Sequence, residues 1–474
     1  MTKNPFRFNR PAPPNLFVGR HHLVNQITDE LFELDGDSYG IVGGRKFGKS
    51  SLLLAIDRSL TSQLHDHSSE NLVVLPIYFS LKSIEVTSPS DFFGMALHLL
   101  QKATHGEQQS KLFPRPHISL GLPSYTTVNS IPSTLQEFES LVEEIVIKAH
   151  ENIGILRIAL LIDEVDCVLD FEWTDSLFNM LRSMIYDGPV RDYVRFVIAG
   201  SGRFLDVDEK GSPLLNAIKP LFLEAFSEEA LDELISHAPN LNPDIQIFVK
   251  RLGMGHAFIL QYLMHHLMNT DQSLITQEAV EIEVNRFFHT RVQDIEGWWY
   301  AIGKSGRHIY CILNRSNSWM TRDDIYESVT QEGIEIERGL RALCYHGIAI
   351  HDGRYQKYKV SENLFRNWAQ HKCAEPKQYE IPLSSIPLQV EAENLSGINR
   401  IDSDKLRPIA TAIQSHFDRE EFRTLCFNIG VNYDSLRPGG LESQTIQLVL
   451  WADRASYLDR LLLEVRRLRP NCMI

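Results

Sequence analysis

The hydrophobic pattern of the first half of the chain alternates between two periods. Tyr39, Ile41 and Val42 form a short apolar run that predicts a buried strand; it breaks at Gly43-Gly44, and Leu52, Leu53, Ile56 and Leu60 then recur at helical spacing. Ahead of it, Leu23, Ile27, Leu31 and Leu34 mark one face of a helix. Asn71 to Ser80 predicts a strand whose Pro76 lacks an N–H to donate, so it belongs at a sheet edge. Helices follow at Phe92–Ala103 and Leu135–His150, separated by a loop-like stretch with prolines at 114, 116, 123 and 132. Ile158 to Ile162 is apolar at every position, as a strand buried on both faces requires. Val194–Ala199 and Leu221–Phe226 complete five strands. Strands alternating with helices imply an α/β fold with a parallel sheet. The order 5-1-4-3-2 places the Pro76 strand at the edge.

From Ser227 the period is helical. SEEALDELI opens with a serine cap and acids in its first turn. Ile245, Phe248, Val249 and Leu252 share one helix face, and Ala257–Leu267 is a further helix, giving a helical lid to about residue 290. Helices are expected at Arg307–Leu313, Thr321–Thr330 and Ile334–Tyr345, then a hairpin turning on Asp352-Gly353: a winged helix. Residues 374–402 are polar and contain prolines 376, 382 and 387, as a linker does. Beyond them every apolar pattern is helical. The expected organisation is thus a core at 1–226, a lid at 227–290, a winged helix at 291–373, a linker at 374–402 and an all-α bundle at 403–474.

Composition narrows this only a little. The 474 residues suit about three domains at roughly 150 residues each. The formal charge of −14 argues against nucleic acid as a partner, and no run approaches the ~20 apolar residues of a membrane span. The N-terminal MTKNPFRFNRPAPPN has no apolar signal region. Six scattered cysteines without a CxxC pair offer neither a zinc spacing nor a disulfide framework, so a reducing cytoplasm is expected.

The chemistry concentrates at strand ends. Between the first strand and its helix lies Gly43-Gly44-Arg45-Lys46-Phe47-Gly48-Lys49-Ser50-Ser51, a phosphate-loop pattern in the strand-to-helix context it needs. Such a loop turns its N–H groups inward around phosphates, Lys49 would reach the β/γ oxygens, and Ser50 would ligate Mg²⁺. Asp163 and Glu164 emerge at the C-terminal end of their strand, where open α/β sheets bind ligands. Asp163 would serve Mg²⁺ and Glu164 would polarise the attacking water as general base. Ser201, at the tip of the adjacent strand, is placed to sense the γ-phosphate. Phe17, Val18 and Arg20 precede the loop at a distance suited to covering an adenine. Arg203 reads as a solvated loop arginine and Asp166 as a helix-start residue. The third helix of the winged helix carries Glu335 and Glu337 beside Arg338 and Arg341, a mixed face that favours packing on protein over reading DNA.

NPF at 4–6, PNLFVGR at 14–20, GGRKFGKSSLL at 43–53, ALLIDEVD at 159–166 and AGSGR at 199–203 together resemble the signal-transduction ATPases with numerous domains (STAND), archaeal-ATPase-like branch. The resemblance covers about residues 4 to 370 and implies a switch that is closed with ADP and assembles into homo-oligomers with ATP. Where relatives touch adenine with Gly-x-Pro, this chain has Gly255-His256-Ala257, which puts His256 at that place. Where some relatives hold ADP with a His-Asp pair after the wing, it has Ser361-Glu362. REEFRTLCFNIGVNYDSL at 419–436 and LVLWADRASYLDRLLLEVRRLRP at 448–470 resemble a bacterial effector-associated, death-like domain. That implies pairing with a like domain on an effector such as a caspase-like or trypsin-like protease, in a conflict or antiphage system. An initiator-like DNA-binding ATPase, which also joins such a core to a winged helix, is the competing reading.

Overall fold

The computed structural model describes the chain except residues 1–3, 14–15, 34, 67–71, 84–85, 105–134, 205–213, 239–240, 271–274, 374–402, 430–443, 447, 450–451, 453–457 and 470–474. Two compact units divide it, Met1–Ala374 and Glu375–Ile474. The proline-rich loop around 114–132 and the linker therefore lie outside the described residues.

The first unit begins with α1 (His21–Phe32), β1 (Tyr39–Val42), α2 (Lys49–Asp66) and β2 (Leu72–Ser80). Then come α3 (Pro89–Thr104), α4 (Leu135–Ile153), β3 (Ile155–Asp163), α5 (Thr174–Tyr186), β4 (Val194–Gly200) and β5 (Lys219–Phe222). All five strands are parallel in the order β2-β3-β4-β1-β5, the expected 5-1-4-3-2 read from the other edge. Every residue of β4 is buried, Arg195 among them, as a strand covered on both faces requires. Pro76 pairs with Ala159 on the edge strand, where its missing N–H costs no ladder bond. One sheet face packs on α1 and α2 through Ile27, Leu31, Leu52 and Ile56; the other packs on α3, α4 and α5 through Phe92, Phe138 and Phe178. Arg157, 1% exposed within β3, donates to the carbonyls of Leu31 (2.7 Å) and Glu33 (2.6 Å), which satisfies acceptors that the end of α1 leaves open.

The chain continues through α6 (Glu228–Ser236), α7 (Pro243–Leu252), α8 (Ala257–Leu267), α9 (Gln277–Thr290) and α10 (Val292–Ala301). The Ser227 cap is made, its hydroxyl accepting from the Ala230 N–H. The winged helix comprises α11 (Gly303–Ser316), β6 (Met320–Thr321), α12 (Arg322–Ser328), α13 (Ile336–Tyr345), β7 (Ala349–Asp352) and β8 (Lys357–Val360), followed by α14 (Leu364–Ala369). Its three strands are antiparallel in the order β6-β8-β7. Asp352 pairs with Lys357, so the turn is Gly353–Gln356 rather than the expected two residues Asp352-Gly353. The physical reason is an aspartate turn: Asp352 Oδ1 accepts the N–H groups of Arg354 (3.0 Å) and Tyr355 (3.3 Å), and Gln356 supplies the left-handed residue at φ 50°. One apolar cluster runs from Leu231 through Phe258 and Trp298 to Phe365, and Phe6 joins it from the N-terminal segment.

Cys311 on α11 is bonded to Cys373, 62 residues away. This departs from the expectation of no disulfide; the pairing is made by the packing of distant elements, which cysteine spacing does not reveal. Among the described residues no helix is long and apolar enough to cross a membrane.

The second unit holds α15 (Ser403–His416), α16 (Arg419–Ile429) and α17 (Leu458–Leu468) around Ile413, Phe417, Phe422, Leu425, Leu448, Leu461 and Val465. Asp418 caps α16 reciprocally: its Oδ1 accepts from the Glu421 N–H (2.9 Å), while Glu421 accepts from the Asp418 N–H (3.1 Å). Arg467 pairs with Glu464, and Arg469 with Glu421. These acids and bases are therefore engaged in part within the bundle itself.

Candidate nucleotide site

The strap from Gly43 to Ser51 leaves β1 and enters α2 in a conformation that glycine makes accessible. Gly48 adopts φ 91°, and a Cβ there would lie 2.9 Å from Arg20 Nη1. A Cβ on Gly44 would lie 2.5 Å from His346 Nδ1. Lys46 takes the left-handed φ of 62° without being glycine. Lys49 opens α2, and its ammonium donates to the carbonyls of Gly43 (2.8 Å) and Gly44 (3.0 Å). Burial lowers its pKa, against the pull of the Asp166, Asp163 and Glu164 carboxylates. Phe47 turns inward and is buried, whereas the Ser51 hydroxyl accepts from the Ala12 N–H (3.0 Å).

Asp163 ends β3 beside this loop. It is 2% exposed and accepts from Ser50, from Tyr78 (3.1 Å) and from the Glu164 N–H (2.9 Å). Burial lifts its carboxyl above the ordinary value, with the Glu164 charge adding to the effect. Glu164 sits at φ 57°, in the left-handed region that a non-glycine residue seldom adopts. It accepts from Ser80 (2.6 Å) and lies 3.7 Å from Lys82. Asp166 lies within a 3₁₀ turn and holds Ser201 twice, through the backbone N–H and the hydroxyl, both at 2.7 Å. Arg203 is half exposed and paired with Asp170 at 2.5 Å.

A cavity of about 1360 Å³ opens over the loop, lined by Lys49, Ser50, Asp163, Glu164, Ser201 and Arg203, with Phe17, Val18 and Arg20 on a further wall. The Arg20 guanidinium is committed elsewhere: it donates to the carbonyls of Phe47 (2.5 Å) and Glu224 (2.8 Å) and stacks on Phe47 and Phe226. Burial drops its pKa to about 9. His256 does not line the cavity. Its ring lies 4.3 Å from Trp298 and 5.3 Å from Phe47, and neither nitrogen has a hydrogen-bond partner. The loop, the dipole end of α2 and the Lys49 ammonium fit a polyphosphate, and the touching Ser50 hydroxyl and Asp163 carboxylate fit Mg²⁺.

The winged helix packs over this site, as its mixed third helix suggested, but through residues that sequence reasoning did not single out. The carbonyl of Tyr345, the last residue of α13, accepts the Gly44 N–H at 3.0 Å. His346 follows, 3% exposed, with Nδ1 lacking a partner beside the loop. Its pKa falls to about 3, through burial first and then the Lys49 charge. From α10, Asp294 meets Lys46 at 2.6 Å, and the Trp298 indole donates to the Arg45 carbonyl at 3.2 Å. Ile295, Trp298 and Trp299 at helical spacing were the available signal for α10; nothing local marks His346.

Residues 409–470 match the family model of effector-associated domain 7. No curated protein matches the chain. Among solved structures, the ORC2 protein of Aeropyrum pernix in ADPNP–ADP complexes is similar at 15% identity and a TM-score of 0.45, over 79% of this chain and 99% of that one. The Aeropyrum pernix ORC1 protein in complex with DNA is similar at 14% and 0.38, over 75% and 93%. CDC6P from Pyrobaculum aerophilum is similar at 13% and 0.35, over 78% and 96%. The chain thus joins a five-stranded parallel α/β fold carrying a phosphate-loop sequence to a segment that matches effector-associated domain 7. The expectation that nucleic acid is an unlikely partner is corrected, since one of these similar structures is a complex with DNA. Whole-chain charge says nothing of the wing, where Arg354 and Tyr355 are exposed beside Lys357.

Proposed function

We propose that the protein is an ATP-binding, ATP-hydrolysing switch whose winged helix contacts DNA and whose effector-associated domain passes the nucleotide state to a protein partner. The observation that carries this is the bond from Gly44 to Tyr345: the last residue of α13 rests on the phosphate loop. A nucleotide that reshapes the loop must act on the winged helix, and a ligand with different affinity for the two arrangements shifts their populations. In this reading Lys49 binds the β/γ-phosphates, Ser50 and Asp163 hold Mg²⁺, and Glu164 activates water while Asp166 fixes Ser201 near the γ-phosphate. Bound Mg²⁺ would neutralise charge on the phosphates. Phe17 and Val18 flank the base, and Arg20 braces the loop from behind. The wing, with Arg354, Tyr355 and Lys357, is the DNA contact.

The test is duplex-DNA binding by the full chain across salt, with ADP and with a non-hydrolysable ATP analogue. A log–log slope that shrinks by about two when Arg354 and Lys357 are both changed to glutamate supports the wing. No DNA binding at low salt in either nucleotide state sinks that part. Lys49→Ala should abolish nucleotide binding, and Glu164→Gln should keep binding while slowing hydrolysis by about 10²-fold. A second reading, favoured by the match to effector-associated domain 7, is a STAND-type signalling ATPase of a bacterial conflict system. There the ATP-bound chain assembles and recruits an effector, a protease by resemblance. Co-purification of the full chain with an effector carrying a like domain, DNA being dispensable, would favour it.

A further inference from the structure

We infer that Asp294 and Trp298 make α10 a latch on the phosphate loop, holding Arg45 and Lys46 from outside the core so that the loop's bound anion leaves only when the latch opens. Neither residue belongs to the core, and neither touches Lys49, Ser50 or the carboxylates of the site. Their grip falls on the middle of the loop. Lys46 carries a left-handed φ of 62°, a conformation that disfavours a side-chain-bearing residue. Its ammonium lies 2.6 Å from Asp294 Oδ2 and 4.1 Å from the centre of the Phe258 ring. Both charged side chains are largely out of water, 23% and 10% exposed, where an ion pair is screened least. Arg291 stands 3.7 Å from the same carboxylate, so Asp294 faces two cations. One helical turn on, Trp298 is 1% exposed and donates its indole N–H to the preceding loop carbonyl, that of Arg45. Two adjacent loop residues are therefore held by one helix face at spacing i, i+4.

The consequence is a division of labour along the loop. Gly43, Gly44 and Lys49 belong to the core and to α13, whereas Arg45 and Lys46 belong to α10. An anion seated in the loop is enclosed by both. Because α10 leads directly into α11, opening the latch also frees the first helix of the winged helix. Asp294 and Trp298 act through Lys46 and Arg45, so they are positioning residues.

Two readouts on the full chain separate this idea from the nucleotide reading above. The first needs no nucleotide: amide hydrogen exchange of the peptide spanning 43–48. Asp294→Asn and Trp298→Phe should each quicken exchange there by about tenfold, with the strands of the sheet unchanged. The charge-exchanged pair Lys46→Asp with Asp294→Lys should restore slow exchange, since aspartate tolerates a left-handed φ. The second is release of a fluorescent ADP in a chase, which should quicken in both single variants. Unchanged exchange at 43–48 in both overturns the latch, as does an increase spread evenly over the sheet. If wild-type protein binds no fluorescent ADP, the nucleotide reading fails while the exchange result still decides the latch. Quickened exchange with unchanged ADP release overturns its role in holding the ligand.

Discussion

Acid should loosen the closure of the first unit before the rest of it, through two histidines. His346 against the phosphate loop and His256 between Phe47 and Trp298 are each 2–3% exposed and held neutral. Burial is the largest cause for both, and the cations Lys49, Arg20 and Lys46 around them oppose a further positive charge. Each folded-state pKa drops to about 3 from the ordinary 6.5. The unfolded chain therefore binds protons that the folded chain refuses. The stability these groups contribute is intact above pH 6.5 and drains away as pH falls toward 3. Between pH 7.5 and pH 5 each histidine costs about 2 kcal/mol, and the pair about 4 kcal/mol if they act independently. That is a large share of a stability of about 5–15 kcal/mol. The assay is urea unfolding of the full chain at the two pH values, followed by tryptophan fluorescence; five of the six tryptophans, at 173, 298, 299, 319 and 368, lie in this unit. His346→Gln should recover about 2 kcal/mol of the pH-dependent loss, and the double variant with His256→Gln about 4. Carboxylates contribute equally in all variants and cancel in the difference. A double variant that loses as much stability as wild type over the same interval refutes the reasoning.

Reduction of Cys311–Cys373, which closes a 62-residue separation, should lower the stability of the first unit by about 2–4 kcal/mol, measured by urea unfolding with and without dithiothreitol. The serine variant Cys373→Ser should match the reduced wild type. Gly202→Ala should displace α13 from the core, because a Cβ there would lie 2.0 Å from the Tyr345 hydroxyl; exchange at Gly44 should quicken while the β3 amides stay protected. Asp418→Ala should destabilise the helical bundle by about 1 kcal/mol through loss of the α16 cap, read as a lower melting temperature for that unit alone.

What was legible in the sequence was whatever a local pattern dictates. The apolar runs at Tyr39–Val42 and Ile158–Ile162 could satisfy their burial only inside a sheet, and Pro76 could sit only at its edge, so the strand order followed. The Gly43–Ser51 spacing likewise marked the turn from β1 into α2, and Asp163 ended its strand beside it because strand ends in such sheets converge there. The groups that were not legible act across long sequence distances. Tyr345 reaches Gly44 from some three hundred residues away, and Asp294 reaches Lys46 from 248. No periodicity records such contacts, since a buried histidine after a helix looks the same whether it faces a core or a ligand. The mixed face of α13 was read as protein-packing, and in this arrangement Arg341 does pack on Phe222 of the core. That reading speaks only of α13, because α13 and the wing are separate surfaces. Arg354 and Tyr355 stand clear of the core while α13 is engaged with it. The same winged helix can thus hold the phosphate loop with one surface and offer a basic, aromatic tip with the other.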